Sequence, residues 1–143
     1  MALRSDLPDM ETLIRFGQGQ SGNEYLVAGW GTPEDGFVWS GGRYARIAVP
    51  GLGQATSLRL SLWGYAPRGA NDPQEALIFV NGLFAGCIKT LSKEVYTFKI
   101  QGTSREALVV DFYIPSAKCP DDYEHNGDKR VLGIALATLL VSR

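Results

Sequence analysis

The sequence predicts an all-β fold, an antiparallel β-sandwich of the jelly-roll kind with about nine strands. Three observations carry this prediction. Apolar residues recur with a period of two along most of the chain, clusters of Gly, Pro, Asn and Asp separate the alternating runs, and almost no segment has a helical period. Because 143 residues can bury the core of one domain, we expect residues 1–143 to form a single β-sandwich domain.

Alternation between apolar and polar residues marks strands that turn one face towards a core. The predicted strands are residues 12–17, 25–30, 43–49, 58–63, 76–80, 83–91, 95–100, 108–114 and 132–140. The last run is apolar on both parities, which indicates a central strand covered on both sides. A helix is the alternative for this run, because Leu, Ala and Ile tolerate either state. Elsewhere only residues 3–12 could hold a short helix, and residues 1–11 are interpreted as an N-terminal extension.

The pair Asn81-Gly82 lies between two of the alternating runs. Asn-Gly suits a two-residue type I′ turn, because both central residues of this turn need a positive φ. We therefore predict a β-hairpin over residues 76–91, in which Asn81 and Gly82 have a structural role.

Residues 29–41, here called the Trp segment, combine turn residues with aromatic rings. Trp30 and Trp39 flank Gly, Pro and the adjacent carboxylates Glu34 and Asp35. A stretch so rich in turn residues is not expected in the middle of a core, yet fully solvated indole rings leave a large apolar area in water. We therefore expect the Trp segment to fold back onto a sheet or to present its rings to a ligand.

The charge balance excludes two classes of partner. Fourteen basic and fifteen acidic side chains give a net charge of −1, so there is no basic surplus for nucleic acid or for an anionic membrane.

The longest apolar run, residues 131–141, is too short to span a bilayer, and residues 1–20 lack the apolar core of a signal peptide. We therefore expect a cytoplasmic protein in which Cys87 and Cys119 are free thiols.

Catalytic constellations are scarce in this sequence. His125 is the only histidine, and no serine has the Gly-x-Ser-x-Gly context of a nucleophile elbow. The glycine-rich residues 17–22 lack the Lys of a phosphate-binding loop, so we interpret them as a strand connection. Glu34, Asp35, Asp111 and Asp128 could in principle form the carboxylate pair of a glycosidase, but solvated or structural roles are favoured. The prediction is a non-enzyme, with a small glycan-acting enzyme as the alternative.

No metal or other cofactor is predicted, with a bound calcium ion as the alternative. Calcium takes carboxylate and carbonyl oxygens, and several acidic residues lie in suitable loops although no Asp-x-Asp-x-Asp spacing occurs. These residues are Asp72, Asp121, Asp122, Glu124 and Asp128.

Strand parity places aromatic and charged side chains on the outward face. If leucines 58, 60 and 62 point inward, Trp63 and Tyr65 point outward, and the same parity turns Tyr44, Asp111 and Tyr113 outward. If these strands are neighbours, one sheet carries all of these rings among Arg and Asp. Such a mixture of rigid apolar rings and polar groups suits a glycan platform. The alternative is that loops cover this face as a second small core.

Arg130 stands at the mouth of the last predicted strand, where it could pair with Glu34 or Asp35 of the Trp segment. Such a pair would pin two long connections at one end of the sandwich, and we favour this structural role over contact with a ligand.

Several of these residues together resemble a known family. The pattern Gly-Trp-Gly-x-Pro-Glu-x-Gly-x-x-Trp-Ser-x-Gly begins at Gly29, an Ala-x-Ile-x-Val strand and Val-Asn-Gly follow, and Asp-x-Arg-x-Leu-Gly-Ile-Ala-Leu begins at Asp128. This pattern, over roughly residues 12–143, resembles a galactose-binding-like, jelly-roll accessory domain of the carbohydrate-binding-module type. That domain accompanies bacterial glycosyltransferases and other surface-polysaccharide or lipopolysaccharide biosynthetic proteins. The resemblance implies a non-catalytic module, and its marked positions are Trp30, Glu34, Trp39, Asp128 and Arg130.

The leading hypothesis is a non-catalytic carbohydrate-binding-like module in bacterial polysaccharide or lipopolysaccharide biosynthesis. Its expected partner is a glycan, with a glycosyltransferase or a second copy of the chain as further partners. The alternative is a structural domain for protein–protein interaction or dimerisation without sugar binding. The candidate ligand-binding residues are Trp30, Glu34, Trp39, Trp63, Tyr65, Asp111, Tyr113 and Arg130, and the candidate structural residues are Asp128, Arg130, Asn81 and Gly82.

Overall fold

A computed structural model describes residues 11–67, 72–90 and 92–143. These residues form two antiparallel β-sheets that enclose one hydrophobic core, so the predicted all-β sandwich is confirmed. Most of the N-terminal segment for which a helix was considered lies outside the described residues, as does the middle of the turn at 67–73. Glu11 and Thr12, at the end of that segment, belong to the first strand.

The described elements follow one another in a simple order. They are β1 (Glu11–Arg15), a 3₁₀ helix (Ser21–Tyr25), β2 (Leu26–Ala28), β3 (Val38–Gly41), β4 (Tyr44–Val49), β5 (Ser57–Gly64), β6 (Gln74–Val80), β7 (Leu83–Thr90), β8 (Glu94–Lys99), β9 (Leu108–Tyr113), α1 (Pro120–Glu124) and β10 (Leu132–Ser142).

The ten strands divide equally between two sheets. The first sheet has the order β1-β10-β5-β8, and β3 pairs with the N-terminal half of β10 beside β1. The second sheet has the order β2-β4-β9-β6-β7. Every pairing is antiparallel, as expected for a jelly roll.

The core lies between the sheets, where the period-two pattern placed it. Leu58, Leu60 and Leu62 of β5 are fully buried, and Ala45 and Ile47 of β4 face them from the second sheet. At about 25 cal/mol per Å² of apolar surface removed from water, each fully buried leucine contributes roughly 1.5–3 kcal/mol to stability. The alternating face of each strand is therefore the main determinant of this architecture.

The last strand, β10, is central, as its two apolar parities predict. It pairs with β1 and β3 on one side and with β5 on the other, and residues 132–137 are all buried. The alternative of a helix in this run is therefore wrong, because a helix could not supply backbone partners to both neighbours.

The predicted hairpin is present between β6 and β7. Asn81 and Gly82 have φ values of 48° and 84°, as a type I′ turn requires. The Asn81 side chain also accepts a hydrogen bond from the Val109 N–H at 2.8 Å, which ties this turn to β9. Its structural role is therefore visible in the contacts of the turn, up to Thr90, the last described residue of the hairpin.

Three elements differ from the sequence prediction. β3 is a tenth strand inside the Trp segment, and the 3₁₀ helix Ser21–Tyr25 covers Tyr25, where the strand 25–30 was predicted to begin. The short helix α1 lies where Asp121, Asp122 and Glu124 were expected in a loop. Pro120 at the first helical turn favours the start of α1, because its fixed φ suits that position.

No helix among residues 11–67, 72–90 and 92–143 is long and apolar enough to cross a membrane. Cys87 is exposed, Cys119 is half-buried, and both are free thiols.

Candidate functional site

The Trp segment is a hairpin-like excursion at one end of the sandwich. The Gly31 N–H donates to the Trp39 carbonyl at 2.9 Å, and the Glu34 N–H donates to the Phe37 carbonyl at 2.8 Å. Gly29, at φ 82°, closes the base, where its carbonyl accepts from the Gly41 N–H at 2.7 Å. The segment therefore folds back onto the sheet, as one of the two sequence expectations had it.

The Trp segment docks on β10 through β3. The fully buried Ser40 hydroxyl accepts a hydrogen bond from the Ile134 N–H at 2.9 Å, and Leu132 pairs with Gly41. A side chain at Gly133 would begin 2.8 Å from Ser40 Oγ, so only glycine allows this approach. The two sequence patterns around Trp39 and Leu132 therefore meet in space and hold each other.

The glycine-rich connection after β1 supports the tip of the Trp segment. The Gln18 N–H donates to the Glu34 carbonyl at 2.8 Å, and a Cβ at Gly17 would lie 2.8 Å from the Gly36 nitrogen. The Asn23 side chain holds Gly17 from the other side, because it bonds both its N–H and its carbonyl. This connection has a supporting role and not that of a phosphate loop.

A pocket of about 450 Å³ opens between the Trp segment and the start of β10. We call it the rim pocket. Its size falls in the usual range of small-molecule sites, about 300–1,000 Å³. It is lined by Gln18, residues 31–34, residues 39–41 and residues 130–132, which include Glu34, Trp39 and Arg130.

The polar side of the rim pocket is an arginine held between two carboxylates. Arg130 donates from Nε and Nη2 to the Asp128 carboxylate, at 2.9 Å and 2.7 Å for the shortest contact of each. Its remaining nitrogen, Nη1, lies 3.8 Å from Glu34 Oε2. The expected pairing of Arg130 with Glu34 is therefore present as an ion pair that is longer than a hydrogen bond.

The two carboxylates of this arrangement are not equivalent. The Arg130 guanidinium lowers the pKa of Asp128 through its hydrogen bonds, and the same bonds raise the pKa of Arg130. Glu34 Oε2 is shielded from solvent and has no hydrogen-bond donor among the described residues, although the Glu34 side chain as a whole is 41% exposed. Glu34 therefore keeps free acceptor capacity towards the pocket, while Asp128 fixes the guanidinium.

Four aromatic rings form one wall beside the rim pocket, here called the indole cluster: Phe37, Trp39, Trp63 and Tyr65. Their centroids are 4.9–6.3 Å apart in edge-to-face arrangements, which are the favoured geometry of such pairs. Ala135 pairs with both Trp39 and Trp63 across the sheet, and this small residue lets the two indoles approach each other above β10.

The far side of the indole cluster is polar. The Tyr65 hydroxyl donates a hydrogen bond to Glu124 Oε2 at 3.3 Å. Burial, and then the charge and hydrogen bond of Glu124, raise the pKa of Tyr65 to about 12. Lys93 Nζ lies 5.7 Å from the Trp63 ring centroid. Trp39 is the member of the cluster that lines the rim pocket.

The outer face of the second sheet carries a separate aromatic surface. Tyr44 and Tyr113 lie on neighbouring strands with centroids 5.1 Å apart, and Phe79 packs against Tyr113 at 5.5 Å. Asp111 beside them is buried and accepts from the Tyr44 hydroxyl at 2.6 Å and from Arg46 Nε at 2.7 Å. A shallow depression of about 580 Å³ lies over this surface.

The single aromatic platform expected from parity is therefore wrong. Trp63 and Tyr65 belong to the first sheet, whereas Tyr44, Asp111 and Tyr113 belong to the second, so the two groups lie on opposite faces of the molecule. Period-two alternation fixes which face of its own sheet a side chain takes, but it does not say which sheet the strand joins.

Of the predicted ligand-binding residues, the structure brings Glu34, Trp39 and Arg130 together at the rim pocket. Trp30 does not join them. Its indole N–H donates to the Arg46 carbonyl at 2.9 Å, and its ring packs edge-to-face on the buried Phe112 at 5.6 Å. Trp30 therefore anchors the base of the Trp segment to the core.

Sequence reasoning missed three residues of these surfaces. Gln18 reaches the rim pocket from the glycine-rich connection, Phe37 joins the indole cluster from the hairpin tip, and Phe79 lies on the second sheet. The alternation of 76–80 already turned Phe79 to the face opposite the buried Ile78, so that signal was present.

The remaining catalytic and metal-binding candidates form no common site among the described residues. His125 is exposed at the end of α1, and no group of three or more His, Cys, Asp or Glu suited to a metal ion occurs within the described ranges. Asp121 is paired with Lys129, whose hydrogen bond lowers the pKa of Asp121. No cluster of ligands among the described residues supports the alternative of a bound calcium ion. The absence of a cofactor stays a prediction.

No protein-family model and no curated protein matches the sequence. The fold is similar to the CBM36-1 domain of a multidomain xylanase from the hindgut metagenome of Trinervitermes trinervoides, with a TM-score of 0.52 and 10% identity over 92% of this chain and 96% of that one. It is also similar to the C-terminal CBM6 of LamC, a marine laminarinase from Zobellia galactanivorans, with a TM-score of 0.53 and 8% identity over 94% of this chain and all of that one.

A further similar structure is dimeric latent PorU from Porphyromonas gingivalis, with a TM-score of 0.57 and 10% identity over 94% of this chain and 12% of that one. At identities this low, the likenesses show the fold alone. That fold is the jelly-roll sandwich of carbohydrate-binding modules, as the sequence predicted.

Proposed function

We propose that this chain is a non-catalytic carbohydrate-binding module and that the rim pocket is its binding site. The observation that carries the proposal is the convergence of an indole, a carboxylate with free acceptor capacity and a fixed guanidinium, from Trp39, Glu34 and Arg130, in one pocket. The sandwich shared with two carbohydrate-binding modules supports the same conclusion.

The pocket offers the two kinds of contact that a sugar requires. The Trp39 indole provides an apolar surface for the C–H face of a sugar ring, while Glu34 accepts from and Arg130 donates to ring hydroxyls. Glu34 and Arg130 come from connections near opposite ends of the chain. The Trp segment docks on β10, and this contact orients the two side chains before a ligand binds. Little area is desolvated per sugar, so we expect an affinity of roughly micromolar to millimolar Kd.

A binding role fits the pocket better than bond chemistry. A glycosidase needs one carboxyl as acid and another as nucleophile or base on either side of the scissile bond. Here both carboxylates beside the pocket, Glu34 and Asp128, contact the same guanidinium. That arrangement holds charge in place and does not divide acid from base.

The biological setting extends this proposal. The resemblance of the Trp segment and of the Asp128–Leu136 motif to accessory domains of glycosyltransferases supports a role in assembling bacterial surface polysaccharide, in the cytoplasm and beside such an enzyme. A second candidate function is self-association through the outer face of the second sheet, which is favoured by the exposed Leu77, Phe84 and Tyr113.

The proposal is tested with Arg130→Ala on a glycan array. Losing a charge-assisted hydrogen bond removes about 1.5–3 kcal/mol of binding free energy, so glycan affinity should fall about tenfold or more. The free energy of unfolding should change by less than about 1 kcal/mol, because the ion pairs of Arg130 are largely exposed.

Arg59→Ala is the matched control, because Arg59 is an exposed arginine on β5 of the same sheet that does not line the pocket. It should leave glycan affinity unchanged. Equal affinities for the wild type and Arg130→Ala, on glycans that the wild type retains, would contradict the assignment of the rim pocket.

A further inference from the structure

The charges of the rim pocket point to a class of glycan. Resting on the proposed function, we propose that the pocket selects uncharged sugars with two adjacent free hydroxyls and rejects uronic acids and other anionic sugars. The selectivity comes from Glu34, which leaves the pocket with a net negative charge although it contains an arginine.

The charges at the wall of the rim pocket do not cancel. Arg130 contacts two carboxylates, Asp128 through three hydrogen bonds from Nε and Nη2 and Glu34 through an ion pair of 3.8 Å. One positive group between two negative groups leaves one uncompensated negative charge. An anionic ligand at Arg130 Nη1 would therefore lie within a few ångströms of Glu34, where like charges repel strongly.

The surroundings of the pocket do not reverse this balance. Asp35, next to Glu34, is an exposed carboxylate, and Glu124 lies at the far side of the indole cluster beside Tyr65. The cations in this region have other contacts, since Lys129 is paired with Asp121 and Lys93 lies over the Trp63 ring. Among the residues that line the pocket, Glu34 is the one carboxylate and Arg130 the one cation, and Asp128 already holds that cation.

The hydrogen-bonding groups of the rim pocket also favour neutral sugars. An ionised carboxylate is only an acceptor, so the half-exposed Glu34 carboxylate requires a donor from the ligand. Among the described residues, Arg130 Nη1 has no hydrogen-bond acceptor and only the 3.8 Å ion-pair contact with Glu34 Oε2, so it requires an acceptor from the ligand. Two adjacent ring hydroxyls satisfy both groups, because one donates to Glu34 while the other accepts from Arg130. The carboxylate of a uronic acid carries no proton and can satisfy only the arginine.

The test is an array of matched oligosaccharides that differ only at C6, with glucose, galactose and mannose series beside their uronic-acid counterparts in the same linkages. The expected result is retention in one or more neutral series, with the matched uronate bound about tenfold or more weakly at low salt. Raising the ionic strength should narrow this difference, because salt screens exposed charges.

Glu34→Gln provides the decisive variant. It removes the charge and keeps the size of the side chain, so the ratio of neutral to uronate affinity should fall about tenfold, towards one. Asp35→Asn is the matched control, since it removes the same charge from the adjacent exposed residue outside the pocket lining, and it should change the ratio much less.

The outcomes separate the two proposals. Uronates that bind as tightly as their neutral partners, or a ratio unchanged by Glu34→Gln, would overturn the selectivity and leave glycan binding standing. No retention of any glycan by the wild type would overturn the proposed function and the selectivity with it.

Discussion

At the scale of single residues, two carboxylates illustrate opposite uses of the same chemistry. Asp111 is buried, and its oxygens accept hydrogen bonds from Tyr44 and Arg46, which leaves the carboxylate with little to offer a ligand. Glu34 is half-exposed, and its ion-pair partner, Arg130 Nη1, is 3.8 Å away. The hydrogen bonds of Asp111 therefore indicate a structural role, whereas the lack of such bonds at Glu34 supports its proposed contact with a ligand.

The structural role of Asp111 predicts that Arg46→Met and Lys89→Met lower the free energy of unfolding by different amounts. Arg46→Met leaves the buried Asp111 carboxylate with only the Tyr44 hydroxyl, so the free energy of unfolding should fall by about 2 kcal/mol, less than for a fully buried pair because Arg46 is partly exposed. Lys89→Met is the matched control, because it removes an exposed pair with Glu75 at 3.6 Å and should cost no more than about 0.5 kcal/mol.

Urea denaturation of both variants measures the difference. Similar losses for Arg46→Met and Lys89→Met would contradict the structural role given to the buried carboxylate.

From its position at the mouth of the last strand, Arg130 was expected to pair with Glu34 or Asp35, and the structure has the pair with Glu34. The sequence does not distinguish Trp30 from Trp39, although the Trp30 indole bonds the Arg46 carbonyl and Trp39 lines the rim pocket. Trp30 reaches the core through Arg46 and Phe112, which are distant in the sequence, so the local pattern of the Trp segment does not reveal these contacts.

At the scale of elements, the docking of the Trp segment on β10 shapes the pocket. Gly29 is the tightest point of this arrangement, because its φ is 82° and an added Cβ would begin 1.9 Å from the Tyr44 carbonyl oxygen. Gly36 at the hairpin tip has a similar φ of 85° but no heavy atom within 4 Å of such a Cβ.

Alanine at these two glycines should therefore give different results. Gly36→Ala should lower the free energy of unfolding by about 1–2 kcal/mol, the cost of a left-handed conformation. Gly29→Ala adds a backbone clash that cannot relax through a side chain, so the loss should reach about 3–4 kcal/mol. Thermal or urea unfolding of the pair makes the comparison, and equal losses would show that the base of the Trp segment is not tightly held.

The strands with long alternating runs were predicted nearly to the residue, whereas β3 was not. β3 contains only Val38 to Gly41, and the glycines and proline around it have the composition of a loop. It is a strand because β10 offers it an edge, and such a partner is a tertiary cause that local composition does not contain.

At the scale of the whole molecule, the division of strands between two sheets decides which residues can act together. β5 joins β10 in the first sheet, and β4 and β9 join in the second, so the rings expected on one platform are separated by the full thickness of the sandwich. The rim pocket lies at the edge of the first sheet, where connections from both ends of the chain converge.

The most direct test of this account is an NMR titration of the ¹⁵N-labelled protein with a glycan that it retains. Amide shifts should be confined to Gln18, the Trp segment and residues 130–132, with the indole N–H of Trp39 among the most perturbed signals. Shifts centred instead on Tyr44, Leu77 and Tyr113 would move the site to the second sheet and would contradict the proposal that the rim pocket is the glycan-binding site.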